Sequence, residues 1–257
     1  QTTQYAGHAK ELAIQSEHTC DLLVCIGGDG TWNEVINGIM EIQDRPLLAY
    51  LPSGTVNDFA ATLQLPKSAE KMMDIVEKER PFSFDIGAFN QRYFTYVAAF
   101  GLFTEISYTT PQSSKNIFGR IAYFLEGVKQ LTNIPQYKIR VIIDDKKVIE
   151  DTFIFGCITN SKYVAGFPAF DSDNAQLDDG FFEILFIKVP MNPLDVQTII
   201  TALLKHEVNE TWMYSFKANH VRVESEDAIP WTLDGEDGGS THLAQIDNRK
   251  QAATILK

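Results

Sequence analysis

The run Cys25-Ile26-Gly27-Gly28-Asp29-Gly30-Thr31-Trp32-Asn33-Glu34 constrains this chain more than any other stretch. A short apolar strand, Asp21 to Ile26, leads directly into three glycines and then a helically spaced segment, Thr31 to Met40. In an open α/β sheet, ligands bind at the carboxyl ends of the strands. Glycines let the backbone take positive φ and come close to a ligand. The following helix N-terminus offers free N–H groups and partial positive charge to a phosphate. Asp29 repels phosphate, but it can hold a divalent cation, directly or through water, that neutralises one. The spacing is neither a P-loop nor a dinucleotide fingerprint. Taken alone, the run reads equally as a structural turn with an aspartate cap.

A second run shifts that balance toward nucleotide phosphate. Leu51-Pro52-Ser53-Gly54-Thr55-Val56-Asn57-Asp58-Phe59-Ala60 also follows a short strand, Pro46 to Leu51, and precedes a helical segment. Two such turns after neighbouring parallel strands converge on one crevice. Helical spacing over Ala6 to Ser16 and Ala69 to Lys78 completes a strand–helix alternation typical of a mostly parallel α/β layer.

From about Phe82 the chain becomes strand-rich. Phe84 to Phe89 and Gln91 to Val97, joined at Asn90, predict a hairpin, as do Tyr137 to Ile143 and Val148 to Phe155 around Asp144-Asp145-Lys146-Lys147. Strands are also predicted over Phe181 to Val189 and Val221 to Val223, and helices over Ile117 to Leu131 and Pro193 to Lys205. A boundary falls near Arg80-Pro81.

Composition narrows the function. The chain has 257 residues, 44% apolar and 22% charged, as soluble globular chains do. Its formal net charge of −12 argues against a phosphate-backbone binder and against adhesion to an anionic membrane by charge alone. There is no run of about 18 apolar residues and no basic-then-apolar leader at Gln1. Cys20, Cys25 and Cys157 form no Cys-x-x-Cys pair and read as buried thiols of a reducing cytosol. His206-Glu207-x-x-Glu210 lacks the second histidine of a zinc helix.

The two turns together, Gly-Gly-Asp-Gly-Thr-x-Asn-Glu and Pro-x-Gly-Thr-x-Asn-Asp-Phe-Ala, resemble the diacylglycerol kinase catalytic family, in particular its soluble bacterial lipid kinases. Gln176-Leu177-Asp178-Asp179-Gly180-Phe181 and Leu233-Asp234-Gly235-Glu236 resemble two later family segments, in the right order along nearly the whole chain. Members of that family usually open with a strand and an Asn-Pro-x-Ser-Gly turn ahead of the point that matches Gln1. This chain shows no such segment, and part of the nucleotide pocket would come from it.

The resemblance implies an N-terminal α/β domain with the phosphofructokinase and NAD-kinase nucleotide fold, over 1–82 and rejoined by about 240–257. It implies an all-β sandwich, over 83–239, that binds lipid. It implies ATP as co-substrate, Mg²⁺, a lipid alcohol as acceptor and a cytoplasmic enzyme that visits the membrane transiently, with a homodimer as a possible assembly. Thr3, Gly27, Gly28, Gly30, Thr31, Asn33, Thr55 and Asn57 would hold the nucleotide. Asp29, Asp58 and Asp234 would form a carboxylate–water–Mg²⁺ network. Glu236 would be the general base, with Asp234 as the alternative, both facing one side of an extended segment. The Gln176 carbonyl, the Asp179 carboxylate and the Phe181 carbonyl would bind a second, structural cation. Phe100, Phe103, Tyr163, Phe167, Phe170 and Trp231 are candidates for an apolar lipid cleft. An NAD-kinase-like enzyme and a non-catalytic nucleotide or lipid sensor are the alternative readings.

Overall fold

The computed structural model describes residues 1–102, 135–161, 163–164, 167–168, 176–205 and 207–257. The chain begins as an α/β layer. Helix α1 (His8–Ile14) precedes strand β1 (Leu22–Gly27), helix α2 (Asp29–Ile39), strand β2 (Leu47–Pro52), and helices α3 (Asp58–Leu63) and α4 (Ala69–Lys78). Strands β1 and β2 are parallel and in register from Leu22 opposite Leu47 to Gly27 opposite Pro52. Their carboxyl ends therefore finish level, and the two glycine-rich turns leave the sheet side by side. Helix α2 buries Trp32, Val35, Ile36 and Ile39, an i, i+3, i+4, i+7 stripe. Trp32 stacks on Tyr50 at 4.7 Å and on Phe59 at 5.0 Å, which locks α2 to β2 and α3. Ser68 caps α4 by accepting the Lys71 N–H at 3.3 Å.

The rest is β-rich. Strands β3 (Pro81–Phe89) and β4 (Arg92–Phe94) form the first predicted hairpin, and β6 (Tyr137–Ile143) and β7 (Lys147–Thr159) form the second. Strands β5 (Val97–Gly101), β8 (Tyr163–Val164), β9 (Phe167–Pro168), β10 (Phe182–Lys188), β11 (Met213–Ala218), β12 (His220–Leu233) and β13 (Glu236–Leu256) follow, with helix α5 (Pro193–Lys205) between β10 and β11. The main hydrogen-bonded path runs β1-β2-β13-β12-β5-β7-β10-β11. A sandwich with two separate sheets is the usual form, but here long strands join the layers into one network. Register shifts within β12–β13 and β13–β3 bend these strands around the core. That core gathers Phe94, Phe100, Phe153, Phe182, Phe186 and Trp231.

Three expectations change. Cys25 and Cys157 are buried, but Cys20 is exposed, because it lies past the end of α1 in the loop ahead of β1. Phe100 and Trp231 are not cleft residues: they pack on each other at 4.9 Å inside the β core. Tyr163 and Phe167 lie in the β8–β9 ribbon, while Phe103, Phe170 and the helix over Ile117 to Leu131 lie outside the described residues. The predicted strand at Val221 to Val223 is part of the much longer β12.

Two buried carboxyls support the C-terminal layer. Asp85 on β3 accepts the Gly180 N–H at 2.6 Å and the Gln251 N–H at 2.7 Å, pinning the Asp178-Asp179-Gly180 turn and the β13 bulge together. Glu183 on β10 is 6% exposed and lies 2.9 Å from the Lys217 ammonium. Burial outweighs that partner and pushes the Glu183 carboxyl up to about 7 from an ordinary 4.5. The folded protein then keeps a proton on Glu183 that the unfolded chain releases. Stability contributed by this group is full below about pH 4.5 and falls as pH rises through about 7. Denaturant unfolding of the wild type against Glu183→Gln should show that the variant lacks a fall of about 1–3 kcal/mol over this window. Parallel pH profiles for the two proteins would refute the assignment.

Candidate active site

The two glycine-rich turns press against each other. A β-carbon on Gly54 would lie 2.7 Å from the Gly28 Cα, so the second turn tolerates no side chain at the contact, and one on Gly28 would lie 3.3 Å from the Gly54 Cα. The second turn is closed by Asn57, which is 1% exposed and left-handed at φ 57. Its Oδ1 accepts the Gly54 N–H at 3.1 Å and its Nδ2 donates to the Gly54 carbonyl at 2.6 Å. Asparagine suits this position because it tolerates the left-handed region and bonds its own loop. Its backbone N–H then donates to Asp29 Oδ2 at 2.7 Å, tying turn to turn.

Asp29 opens α2, and the helix start carries no side-chain cap. Its first N–H groups therefore face the crevice. Burial raises the Asp29 carboxyl; the Asn57 N–H pulls it back and the nearby Asp234 charge adds to the rise. Asp29 Oδ1 is buried and meets no hydrogen-bond partner. Asp58, at the start of α3, is 1% exposed. A buried carboxylate oxygen without a hydrogen-bond partner suits a hard divalent cation.

Glu236 arrives from the far end of the chain. A β-carbon on Gly30 would lie 3.1 Å from Glu236 Oε1, so this carboxylate stands against the first turn of α2. Glu236 itself is exposed and so reachable by an incoming group. The expected extended geometry of Asp234 to Glu236 is corrected here. Leu233 pairs with Glu236 across a two-residue turn, with Asp234 at φ 51 and Gly235 at φ 82. That is the Asp-Gly hairpin turn with positive φ at both central residues. Asp234 points inward, 3% exposed, and Glu236 points to the crevice.

Other predicted residues take different places. Thr3 and Thr55 are exposed, Thr3 ahead of α1 and Thr55 in the second turn. Thr31 lies in the first turn of α2. The Asn33 amide is directed inward: it donates to Asp234 Oδ2 at 2.8 Å and to the Tyr93 carbonyl at 3.2 Å. Gln176, Asp179 and Phe181 lie on the turn pinned by Asp85. Asp179 Oδ1 accepts the Phe181 N–H at 2.9 Å, Oδ2 lies 3.4 Å from the Lys217 ammonium, and its carbonyl accepts from Lys250 at 3.2 Å. The positive charge at this turn comes from lysines, and both oxygens of the Asp179 carboxylate face donors of the protein itself.

Glu34 has a role that its motif does not reveal. It accepts the Gly7 N–H at 2.7 Å and the Ala9 N–H at 3.0 Å, so the last residue of the first motif caps α1. The contact spans 27 residues, so no local pattern announces it. Tyr96 is also unannounced: its phenol donates to the Asp234 carbonyl at 2.8 Å.

The Gly28–Gly54 contact yields a direct test. Gly54→Ala must displace the backbone of Gly28, and it should destabilise the protein by about 1–3 kcal/mol. Thermal unfolding at a wild-type midpoint would show that the turns do not touch.

Comparison with known proteins identifies the family. Residues 1–89 match the family profile described as the diacylglycerol kinase catalytic domain. A diacylglycerol kinase of Staphylococcus saprophyticus is 37% identical over 240 residues, covering 92% of this chain and 77% of that protein. The solved structure of a candidate diacylglycerol kinase from Bacillus anthracis superposes with a TM-score of 0.82 at 28% identity, covering 99% of this chain and 84% of that one. Yeast NADH kinase in complex with NADH shares the fold alone, with a TM-score of 0.50 at 12% identity over 92% of this chain and 60% of that one. With its two glycine turns and the Asp-Gly-Glu hairpin joined in one crevice, the chain belongs to the diacylglycerol kinase family.

Proposed function

We propose that this lipid kinase transfers the γ-phosphoryl group of ATP to the hydroxyl of a lipid alcohol, diacylglycerol or a close relative. The observation that carries this reading is Glu236 against Gly30: an accessible carboxylate beside the helix start that would receive the phosphates. Family membership supports the kinase and the lipid class of its acceptor.

Phosphoryl transfer depends on positioning and charge neutralisation more than on covalent chemistry. The N–H groups of Gly28, Gly30 and Thr31 at the opening of α2 cradle the phosphates, and Gly54 allows close approach from the second turn. Thr3 and Thr55, both exposed, contact the nucleotide in this reading. Asp29 and Asp58 would hold Mg²⁺, which would supply charge neutralisation at the transferring phosphate. Glu236 orients the lipid hydroxyl toward the phosphorus and takes its proton late in the transfer. Asn33 and Asn57 build the crevice rather than touch the nucleotide, since their amides are committed internally.

A lipid acceptor requires the enzyme to work at a membrane surface. The contact is peripheral in this reading; no helix among the described residues is long and apolar enough to cross a membrane.

The test is transfer of label from γ-labelled ATP with Mg²⁺ to a panel of lipid alcohols in mixed micelles, with NAD as a further acceptor. Label should appear on one lipid. Glu236→Gln should lower kcat by about 10²–10⁴-fold with little change in the KM for ATP. Asp29→Asn should lower kcat and raise the Mg²⁺ requirement. Label on NAD alone, or none on any lipid while ATP still binds, would overturn the proposal.

A further inference from the structure

Asp234 is a buried carboxylate of the crevice, and the transfer described above does not use it. Its Oδ2 accepts the Thr95 N–H at 2.7 Å, the Asn33 amide at 2.8 Å and the Thr95 hydroxyl at 3.0 Å. Its Oδ1 accepts the Tyr96 N–H at 2.9 Å and the Val97 N–H at 3.1 Å. Its own backbone is fixed as well, with its N–H donating to the Val97 carbonyl at 2.8 Å and its carbonyl accepting from the Tyr96 phenol at 2.8 Å.

Both carboxylate oxygens are thus filled by donors. A general base needs an open lone pair beside the substrate hydroxyl. A metal ligand needs one beside the ion. Using Asp234 in either way would strip buried N–H groups of their acceptor. The five donors come from two places, the break between β4 and β5 and the middle of α2, while the acceptor sits in the turn that carries Glu236. Asn33 is one helical turn beyond Gly30, so Asn33 to Asp234 and Gly30 to Glu236 are two neighbouring contacts between α2 and the hairpin turn.

We propose that Asp234 is a positioning residue. Its carboxylate gathers Asn33 and the Thr95–Val97 backbone onto the hairpin turn and so fixes Glu236 against the first turn of α2. The effect on rate rests on the lipid kinase reading; the hydrogen-bonded hub does not.

Asp234→Asn keeps the size of the side chain but turns an NH₂ toward N–H donors. It should lower kcat about 10- to 100-fold, the cost of a small misplacement. The half-saturating Mg²⁺ and the ascending limb of the pH–rate profile should stay where the wild type has them, within about twofold. Amide hydrogen exchange at Thr95, Tyr96 and Val97 should speed up. Asn33→Ala, which removes one donor and leaves Asp234 intact, should show the same pattern with a smaller loss of kcat, and it serves if Asp234→Asn does not fold. A raised Mg²⁺ requirement, or loss of the ascending limb, would make Asp234 a ligand or base and overturn the proposal. So would unchanged exchange at Thr95 to Val97. If wild type labels no lipid, the kinase reading fails, and the exchange measurement still decides for or against the hub.

Discussion

The hydrogen-bond ladder of β13 is the constraint on which the rest of the molecule depends. This 21-residue strand pairs with β12 along its first part, with β3 along its second half, and with β2 in parallel at Ile255 opposite Leu48. Its first residue is Glu236, at the crevice, and its last residues lie in the α/β layer. One strand thus holds the carboxyl-terminal motif at a set distance from turns that precede it by some two hundred residues in the chain. Without that ladder, Glu236 has no reason to meet Gly30.

The crevice divides its polar residues into two kinds. Asp29, with a buried and unpartnered oxygen, and Glu236, exposed beside the helix start, have bonding capacity to offer a ligand. Asn33, Asn57 and Asp234 are filled by the protein's own donors and acceptors. Burial without partners is costly, so a folded chain leaves groups open only where something else completes them. The lysines at the Asp179 turn illustrate the other solution, in which the chain supplies the neutralising charge itself.

Much of this was legible along the chain. The strand–turn–helix order of residues 21–40 and 46–63 follows from glycine placement and apolar spacing, and the parallel pairing of β1 with β2 follows from it. Both hairpins were announced by polar turns between alternating segments. Asp234-Gly235 is itself a strong turn signal that competes with strand alternation over Asp234 to Glu236, and the turn prevails. The length of β12 and β13 was not legible, because polar and charged residues interrupt their apolar alternation wherever they cross exposed edges. Phe100 and Trp231 could equally line a cleft or a core, since composition is the same in both.

The sequence by itself determined the chemistry available: two glycine turns that expose backbone N–H groups, an aspartate at the opening of α2, and a late Asp-Gly-Glu segment. These are local properties, set by side-chain type and by backbone freedom at successive residues. Only the tertiary structure decided which carboxylates stay open and which become anchors. Asp29 and Asp234 are the same residue type beside glycines in both cases, but one keeps an oxygen free while the other meets five donors. Those donors come from segments far apart in the chain, and long-range packing alone determines which of them arrive.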